Sequence, residues 1–464
     1  MANNILDDLF YQGHIFKYKQ SLCTWSGSDL SSRGTNEIIL MAFDTSVTPA
    51  SAAALSHALE LGDPVRLTVG SVGFRRTARA MFVGGFATFA LLYGMQPLMP
   101  MFSTEFNLAP AAASGVVSAA TGAMAIALIP ASLLADRFGR KPIMNAALVL
   151  AALLTLAAAC AQNFQQLVLL RGLMGFALAG LPAVAMAYLS EEIDPQSLGR
   201  SMGLYIAGNG LGGMCGRLVM ASLTEWTSWR VAVATLGGLG VLAALEFWRS
   251  LPSSRHFHPT SLSPHVLWAD TRAHFNDAGL PWLFLTGFLL MGCFVSVYNY
   301  LGYRLAAGPF NLTPSQIGLV FTLYLLGMLG SAWGGKLADR FGRRNILWMM
   351  VTVMAVGLVL TLAQSLILIV LGVACLTFGF FGSHSIASSW IGRRALQARA
   401  LASAIYLCCY YLGSSGLGST SGLMWGFDGW HGVVALLAAV MLLLVAVSLR
   451  LRKLAPLPVN IGKP

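Results

Sequence analysis

Charged residues are scarce in this chain of 464 residues: Asp, Glu, Lys and Arg make up 10% of it, against 56% hydrophobic residues. One soluble core cannot bury that much apolar surface, and the mean hydropathy of +0.69 is typical of a chain embedded in lipid. In a bilayer, only helices and closed barrels satisfy every backbone hydrogen-bonding group. The composition therefore excludes a soluble globular domain and favours a membrane protein.

Several chemical signatures are absent as well. Seven cysteines occur without a Cys-x-x-Cys pair, which argues against a disulfide framework or a zinc site. The phosphate loop Gly-x-x-x-x-Gly-Lys-Ser/Thr is missing, so direct use of ATP is not expected. Neither His-Glu-x-x-His nor Gly-x-Ser-x-Gly occurs, which argues against an intramembrane hydrolase. We therefore expect no enzyme activity, no metal and no cofactor.

Twelve apolar runs are long enough to cross a bilayer as helices. Six fall within residues 78–249 and six within 280–450, and the polar stretch 250–279 separates them. The sequence thus predicts an all-α membrane protein with twelve transmembrane helices in two six-helix halves. A cytoplasmic linker joins the halves, and a cytoplasmic tail follows at 451–464.

Basic residues are distributed unequally between the two sides of this predicted bundle. The loops on one side carry most of the Lys and Arg, whereas the opposite loops carry only Arg230 and Arg304. Basic loops stay in the cytoplasm, so both termini are predicted to be cytoplasmic. The net charge of +11 then reflects topology, and nucleic-acid binding is not expected.

The chain repeats two short motifs at equivalent places. "LADRFGRK" begins at Leu134 and "LADRFGRR" at Leu337, each after the second predicted helix of its half. "FNLAP" begins at Phe106 and "FNLTP" at Phe310, each just before that helix. Repeats in the same register indicate a duplicated six-helix unit, and hence pseudo-symmetric halves.

The repeated loop resembles a signature of the major facilitator superfamily, Gly-x-x-x-Asp-Arg-x-Gly-Arg-Arg/Lys. The second half matches it at Gly335, Asp339, Arg340, Gly342, Arg343 and Arg344. The first half matches it at Asp136, Arg137, Gly139, Arg140 and Lys141, with Ser132 in place of glycine. From about residue 78 to 450 the chain also resembles the arabinose-efflux and purine-ribonucleoside-efflux branch, through "YLSEEI", "SMGLYIAGNGLGGMCGRL", "ASSWIG" and "YYLGSS".

This resemblance implies a multi-pass protein of the bacterial inner membrane that exports a drug, sugar or nucleoside, usually driven by protons. We expect a monomer whose partners are the bilayer, a small-molecule substrate and protons.

The repeated loops can serve as a gate. Gly139 and Gly342 allow tight turns between helices. Asp136 and Asp339 sit at helix ends, where a carboxylate can pair with a neighbouring Arg or face a helix N-terminus of the other half. Such a contact would latch one conformation. The alternative is a basic turn that sets topology and has no switching role.

Two arginines lie within predicted spans, where charge is costly and tends to be functional. Arg171 matches the Arg of the family's second motif in "RGLMGFA", with Met174 in place of Gln, and its counterpart in the second half is Cys375. We expect Arg171 to serve the cavity; the alternative is a structural Arg bonded to backbone carbonyls. Arg217 lies at similar depth, so the two charges favour an anion or water between them. Its alternative is snorkelling to the outer headgroups.

The fifth span carries "GNGLGGMCG" at residues 208–216, which resembles the antiporter motif Gly-Pro-x-x-Gly-Gly with Asn209 in place of proline. Glycines at this spacing let helices approach closely and would seal a leak path between the halves. The motif favours antiport modestly, and generic small-residue packing is the alternative.

No Asp or Glu lies deep in a span, which favours a neutral, zwitterionic or anionic substrate. Proton coupling then needs another titrating group, and His384 is the only histidine within a predicted span. A histidine satisfied by neighbouring serines is the alternative. The remaining candidates for substrate contact are polar or aromatic residues on cavity-lining spans: Tyr93, Gln96, Tyr205, Asn299, Tyr300, Tyr406 and Tyr410. We interpret Tyr303 as an interfacial anchor.

The first 77 residues contain no span and no signal peptide. We expect a disordered cytoplasmic extension, and a natural start at Met41 is a hypothesis. The predicted function is proton-coupled export of a small molecule. Its rivals are a proton symporter that takes up a small organic anion and a non-transporting sensor on the same fold. Retention of both gate motifs argues against the sensor.

Overall fold

The structure is a computed structural model that describes residues 66–257 and 264–454. Residues 1–65 of the predicted extension, including the hypothetical start at Met41, and residues 455–464 of the tail lie outside this part of the chain. The described residues are almost entirely helical, and β-type pairing among them is limited to an isolated bridge between Leu67 and Ile193. The predicted all-α class is confirmed.

The predicted spans correspond to helices α1 to α12. The N-terminal half contains α1 Val72–Glu105, α2 Gly115–Phe138, α3 Arg140–Ala159, α4 Phe164–Glu192, α5 Pro195–Trp226 and α6 Trp229–Ser250. The C-terminal half contains α7 Leu280–Ala306, α8 Pro314–Phe341, α9 Arg343–Leu360, α10 Leu366–Arg394, α11 399–427 and α12 430–452. Another helix, Pro264–Asn276, lies within the predicted linker. Helix α1 begins ahead of the predicted start at Ala78 because Ser71 caps it, accepting a hydrogen bond from the Phe74 N–H.

Ten helices of the described part are long and apolar enough to cross a membrane. One of them, Arg399–Arg452, has non-helical backbone at Asp428 and Gly429. The chain reverses there, because the residues just before its start and just after its end both lie against Gly279. This helix therefore contains α11 and α12. Helix α5 has 32 residues and is long enough to cross, but it is rich in glycine and is not among the ten.

The two repeated loops form matching turns. Gly139 and Gly342 have φ values of +99° and +87°, a region that glycine enters without steric cost. Beyond each turn, a basic side chain reaches the end of the sixth helix of its own half: Lys141 donates to the Leu251 carbonyl and Arg344 to the Leu454 carbonyl. We call the end of the bundle that carries both loops the motif end, and the opposite end the far end.

Glycines set the spacing of α1 and α5. A Cβ added to Gly212 of α5 would lie 2.0 Å from the Phe86 carbonyl oxygen of α1, and one added to Gly208 would lie 2.4 Å from the Phe82 carbonyl oxygen. The predicted close approach therefore occurs, but mainly within one half. Only Gly210 and Gly213 of this stretch lie against α8 of the other half. Most of these glycines therefore pack α5 against α1 of the same half, and a seal between the halves stays a prediction.

Breaks interrupt three of the helices, and those in α1 and α8 lie toward the far end. Helix α1 breaks after Tyr93 and continues as the 3₁₀ turn Gln96–Leu98, where Pro97 cannot donate a backbone hydrogen bond. Helix α8 contains a 3₁₀ turn at Val320–Leu323, and α4 breaks before Pro182. Breaks at this depth expose backbone carbonyls that side chains must satisfy.

Candidate functional site: two gates and a buried polar centre

Hydrogen bonds join the two halves at the far end. The Gln96 amide nitrogen donates to the Asn299 side-chain oxygen at 2.6 Å and, more weakly, to the Val295 carbonyl. Tyr303 Oη donates to the Met99 carbonyl at 2.9 Å and lies 2.7 Å from Ser103 Oγ. The interpretation of Tyr303 as an interfacial anchor is incomplete, since its hydroxyl bridges the halves. Sequence reasoning missed this bridge, because no local signal pairs residues that far apart.

Arg217 lies next to this junction and is 2% exposed. Its Nε donates to Gln96 Oε1 at 2.5 Å, and its Nη1 donates to the Gly213 carbonyl. Its guanidinium carbon lies 4.5 Å from the ring centre of Tyr93, 5.3 Å from that of Phe321 and 5.1 Å from that of Tyr324. The snorkelling alternative does not fit this geometry, because the side chain is enclosed by protein.

Arg171 is 1% exposed and bonds only backbone among its described partners. Its Nε and Nη1 donate to the carbonyls of Val116 and Leu91 at 2.8 Å each, and its Nη2 donates to the carbonyl of Leu92. Leu91 and Leu92 lie in the last turn before the break in α1, where carbonyls lack helical partners. The geometry is therefore that of the structural alternative, not of a side chain facing a cavity.

His384 belongs to an aromatic cluster between α10 and α11. Its Nδ1 lies 2.8 Å from Tyr406 Oη, and its ring centre is 4.7 Å from that of Tyr410. The ring of Phe380 is nearly parallel to the imidazole, with its centre 6.1 Å away. The predicted partners, neighbouring serines, are thus replaced by a tyrosine hydroxyl. The structure brings together three of the predicted candidates: His384, Tyr406 and Tyr410.

Several predicted candidates carry buried polar atoms that have no hydrogen-bond partner among the described residues. They are Tyr93 Oη, Asn209 Oδ1 and Asn299 Nδ2, joined by Tyr324 Oη and Ser414 Oγ, which sequence reasoning missed. Tyr93 and Ser414 approach each other from opposite halves without completing a hydrogen bond. We call Tyr93, Asn299, Tyr324 and Ser414, which come from both halves, the polar centre. Because unpaired buried polar groups are costly, the polar centre is suited to a ligand or to water.

Two further candidates are held by packing. Tyr205 lies with Asn209 against Gly85 of α1, inside the N-terminal half. Tyr300 Oη donates to the Gly418 carbonyl at 2.7 Å, and its ring stacks near Trp425. Tyr300 therefore stabilises the packing of α7 against α11.

At the motif end, the acidic residues pair within their own halves. Asp136 Oδ1 accepts a hydrogen bond from Arg140. The Arg140 guanidinium also donates to the Glu191 carboxylate of α4, from Nη2 at 2.7 Å and from Nε at 3.3 Å. The sequence did not reveal Glu191 of "YLSEEI" as a partner of Arg140, because the direction of the Glu191 side chain depends on the break in α4. Among the alternatives for Asp136, the structure shows pairing with a neighbouring Arg.

The second loop repeats this arrangement in a more open form. Asp339 accepts from Arg343 at 2.9 Å and lies 3.7 Å from Arg393, but its side chain is 63% exposed against 12% for Asp136. Arg343 Nε also donates to Ser389. The remaining residues of the two repeated loops make fewer contacts. Arg137 and Arg340 each lie over the ring of the phenylalanine that follows, and a Cβ added to Gly335 would meet nothing within 4 Å.

Asp277 connects the linker to α10. Its carboxylate accepts two hydrogen bonds from the Arg394 guanidinium, at 2.5 and 3.0 Å. It also accepts hydrogen bonds from the backbone N–H groups of Gly279 and Leu280 at the start of α7. Burial acts to raise its pKa, but the hydrogen bonds from Arg394, Leu280 and Gly279 outweigh burial and lower the pKa below its usual value. The charged form is thus the one that the fold stabilises.

Replacing this carboxylate tests its contribution. Asp277→Asn keeps an acceptor for the helix start but loses the charge pair, so we expect the melting temperature near neutral pH to fall by about 2–4 °C. The folded-state pKa is depressed, so wild-type stability from this group is lost as pH falls below about 4, and the two proteins converge there. Thermal denaturation at several pH values measures this, with Asp270→Asn in the linker helix as control. A constant difference down to low pH contradicts the assignment.

Taken together, the two halves, their repeated loops and the polar centre between them define a helical membrane transporter. The family model of the Major Facilitator Superfamily matches residues 81–307 and 303–463, and the chain belongs to this family.

Curated relatives agree with this assignment. The inner membrane transport protein YnfM of Escherichia coli (strain K12) is 45% identical over 384 residues, which cover 83% of this chain and 92% of that protein. The uncharacterized MFS-type transporter YybF of Bacillus subtilis (strain 168) is 42% identical over 389 residues, covering 84% and 96%.

Solved structures share the fold at low identity. The human organic anion transporter MFSD10 (TETRAN) has a TM-score of 0.63 at 14% identity, covering 81% of this chain and 99% of that one. The nucleoside transporter NupG has a TM-score of 0.67 at 16% identity, with the same coverage. These likenesses support the fold alone.

Proposed function

We propose that this transporter exports a small molecule in exchange for protons, by rocking its two halves about the polar centre. The observation that carries the proposal is the unequal bonding at the two ends. Cross-half hydrogen bonds close the far end, through Gln96, Asn299 and Tyr303. At the motif end, Asp136 and Asp339 are satisfied inside their own halves. Such a pattern fits one state of an alternating-access cycle.

The orientation of the cycle follows from charge. The basic residues of the loops and of the tail gather at the motif end, which the positive-inside rule places in the cytoplasm. Both termini and the linker are then cytoplasmic, and the state described here is closed to the outside. A substrate to be exported would enter from the cytoplasm in this state, and it would reach the polar centre when the buried side chains there move apart.

The repeated loops would stabilise the opposite state of the cycle, in which the motif end is closed. Helix α11 starts after Ala398 without a side-chain cap, so its first N–H groups carry uncompensated partial positive charge. When the motif end closes, Asp136 can exchange its contact with Arg140 for this helix start. In the closed gate, a contact between the halves, from Asp136 to the start of α11, would thus replace the contact of Asp136 with Arg140 inside the N-terminal half.

Proton coupling is assigned to His384. It is the only histidine in the interior of a predicted span, since His431 lies in the exposed first turn of α12, and no Asp or Glu lies near the middle of a span. Its bond to Tyr406 gives it a partner whose alignment changes when α10 and α11 shift. A solvated imidazole titrates within the physiological range, so opening of the centre can load and unload a proton.

Everted membrane vesicles with an imposed proton gradient test this function. We expect one of a panel of drugs, pentoses, nucleosides and organic acids to dissipate the gradient, and His384→Gln to slow that response by about tenfold or more. The control is His431→Gln, since His431 is exposed at the far end. A response in His384→Gln equal to that of the wild type contradicts the assignment of the proton site.

A second candidate is proton-coupled uptake of a small organic anion. It is favoured because neither Arg171 nor Arg217 forms an ion pair with any described residue. A relative, the probable 4-methylmuconolactone transporter of Cupriavidus pinatubonensis (strain JMP 134 / LMG 1197), is 29% identical over 264 residues, covering 54% of this chain and 59% of that protein. Uptake of labelled organic acids into intact cells separates uptake from export.

A further inference from the structure

Arg217 is enclosed by groups from both halves. We call these groups, together with the arginine, the Arg217 box; its members are Arg217, Tyr93, Gln96, Asn299, Phe321 and Tyr324. Arg217, Tyr93 and Gln96 belong to the N-terminal half, and the other three belong to the C-terminal half. A buried guanidinium without a carboxylate partner depends on such ring faces and acceptors for its stability.

Opening of the far end would dismantle this box. Phe321 and Tyr324 lie on α8 and would leave the guanidinium as the halves separate, and Asn299 would release Gln96. Arg217 would keep only Tyr93, Gln96 and the Gly213 carbonyl. Its charge would then lack much of its present compensation, and a mobile anion is the simplest replacement.

The atoms left unpaired around the box are suited to an anion. Tyr93 Oη, Tyr324 Oη and Asn299 Nδ2 have no hydrogen-bond partner among the described residues, and each can donate a hydrogen bond. Tyr93, Tyr324 and Asn299 are at least 96% buried. Of these three residues, Tyr93 stays beside Arg217 when α7 and α8 move away, so the guanidinium and the Tyr93 hydroxyl remain as donors, and no Asp or Glu lies nearby in the spans to repel an anion.

We propose that Arg217 binds a carboxylate or sulfonate of the transported molecule, and that this anion takes the place of Phe321 and Tyr324 when the far end opens. The proposal rests on the transport function given above and names its substrate class: a small organic monoanion with a flat apolar body that packs on the Tyr93 ring left beside Arg217. Because the closed box covers Arg217, the anion binds more tightly to the far-open state and draws the protein toward it.

This competition makes two substitutions act in opposite directions. Phe321→Leu removes one ring face from the closed box, so the far-open state becomes more populated and the apparent affinity for the anion rises by about threefold or more. Arg217→Gln removes the charge, so the preference for an anion over a neutral analogue disappears. A purely structural arginine predicts no gain of affinity in Phe321→Leu.

The experiment measures dissociation constants of full-length protein in nanodiscs for benzoate, cinnamate and 2-naphthoate, each paired with its methyl ester. We expect the wild type to bind at least one acid about tenfold or more tightly than its ester, a ratio that corresponds to one charge-assisted contact. Arg217→Lys should retain part of this ratio, Arg217→Gln none, and Phe321→Leu should strengthen acid binding. Matched controls are Arg230→Gln, which removes an exposed far-end charge, and Phe310→Leu, which removes a ring beside Arg304.

Each outcome decides between the two proposals. Equal affinity for acid and ester in every pair, or no binding to any pair, overturns the anion site. Weaker acid binding in Phe321→Leu overturns the competition with the closed box. If acids bind as expected but no compound moves protons in vesicles, the proposed proton-coupled export fails while the anion site stands. If Arg217→Gln does not fold, Arg217→Lys and Phe321→Leu still decide the matter.

Discussion

Gly212→Ala is expected to lower the stability of the transporter by about 3 kcal/mol or more, with a melting temperature reduced by about 6 °C or more. The added methyl group would lie 2.0 Å from the Phe86 carbonyl oxygen and 2.5 Å from the Phe86 Cα. These are backbone atoms of α1, so no side chain can rotate away and the two helices must separate. Separation also displaces Arg217 on α5 relative to Gln96 and Tyr93 on α1.

Gly203→Ala is the matched control, because Gly203 lies in the same helix and a Cβ there meets nothing within 4 Å. That change should leave the stability unchanged or raise it slightly, since alanine favours helix. Thermal melting of both variants, followed by size-exclusion chromatography in detergent, gives the comparison. Equal melting temperatures for the two variants would show that α1 and α5 are not packed as described.

Arg171→Met is expected to cost about 3 kcal/mol of stability. It removes the donors that satisfy three backbone carbonyls, and each buried unpaired group costs roughly 1–3 kcal/mol, partly offset by removal of a desolvated charge. Arg171→Lys should be intermediate in stability and should keep its transport rate, because one ammonium can still reach some of the carbonyls of Val116, Leu91 and Leu92.

A role in substrate binding predicts the reverse pattern for Arg171. In that case Arg171→Lys would melt like the wild type while its flux in vesicles fell. Arg230→Met serves as the control, since it removes an equal charge at the far end from a side chain that is 43% exposed. Measuring melting temperature and flux on the same preparations separates the structural role from the transport role.

The helices could be predicted because their signal is local. A run of about 20 apolar residues must cross the bilayer as a helix wherever it occurs, so the spans in both halves were visible in the sequence. The turn glycines Gly139 and Gly342 were predictable for the same reason, since a repeated motif marks a repeated backbone conformation. The extra turns before Ala78 and the helix Pro264–Asn276 were not predicted, because polar composition hides short helices outside the spans.

The pairing of side chains could not be predicted in the same way. Arg171 and Arg217 look alike in the sequence, yet one bonds three carbonyls beside a helix break and the other lies among rings from both halves. The difference depends on where α1 breaks and on how α8 packs across the interface. The partners Glu191 and Tyr303 depend equally on tertiary packing, which a single sequence does not encode locally.

The central claim is that the two ends of the bundle open alternately and that a proton at His384 controls the balance. The direct measurement is a pair of spin-label distances on a cysteine-depleted protein in nanodiscs, one between positions 104 and 307 at the far end and one between positions 199 and 397 at the motif end. All four positions are exposed. We expect a change from about pH 8 to about pH 5.5 to lengthen one distance and shorten the other, and His384→Gln to abolish both changes. Distances that stay constant, or that change in the same direction, would contradict the account.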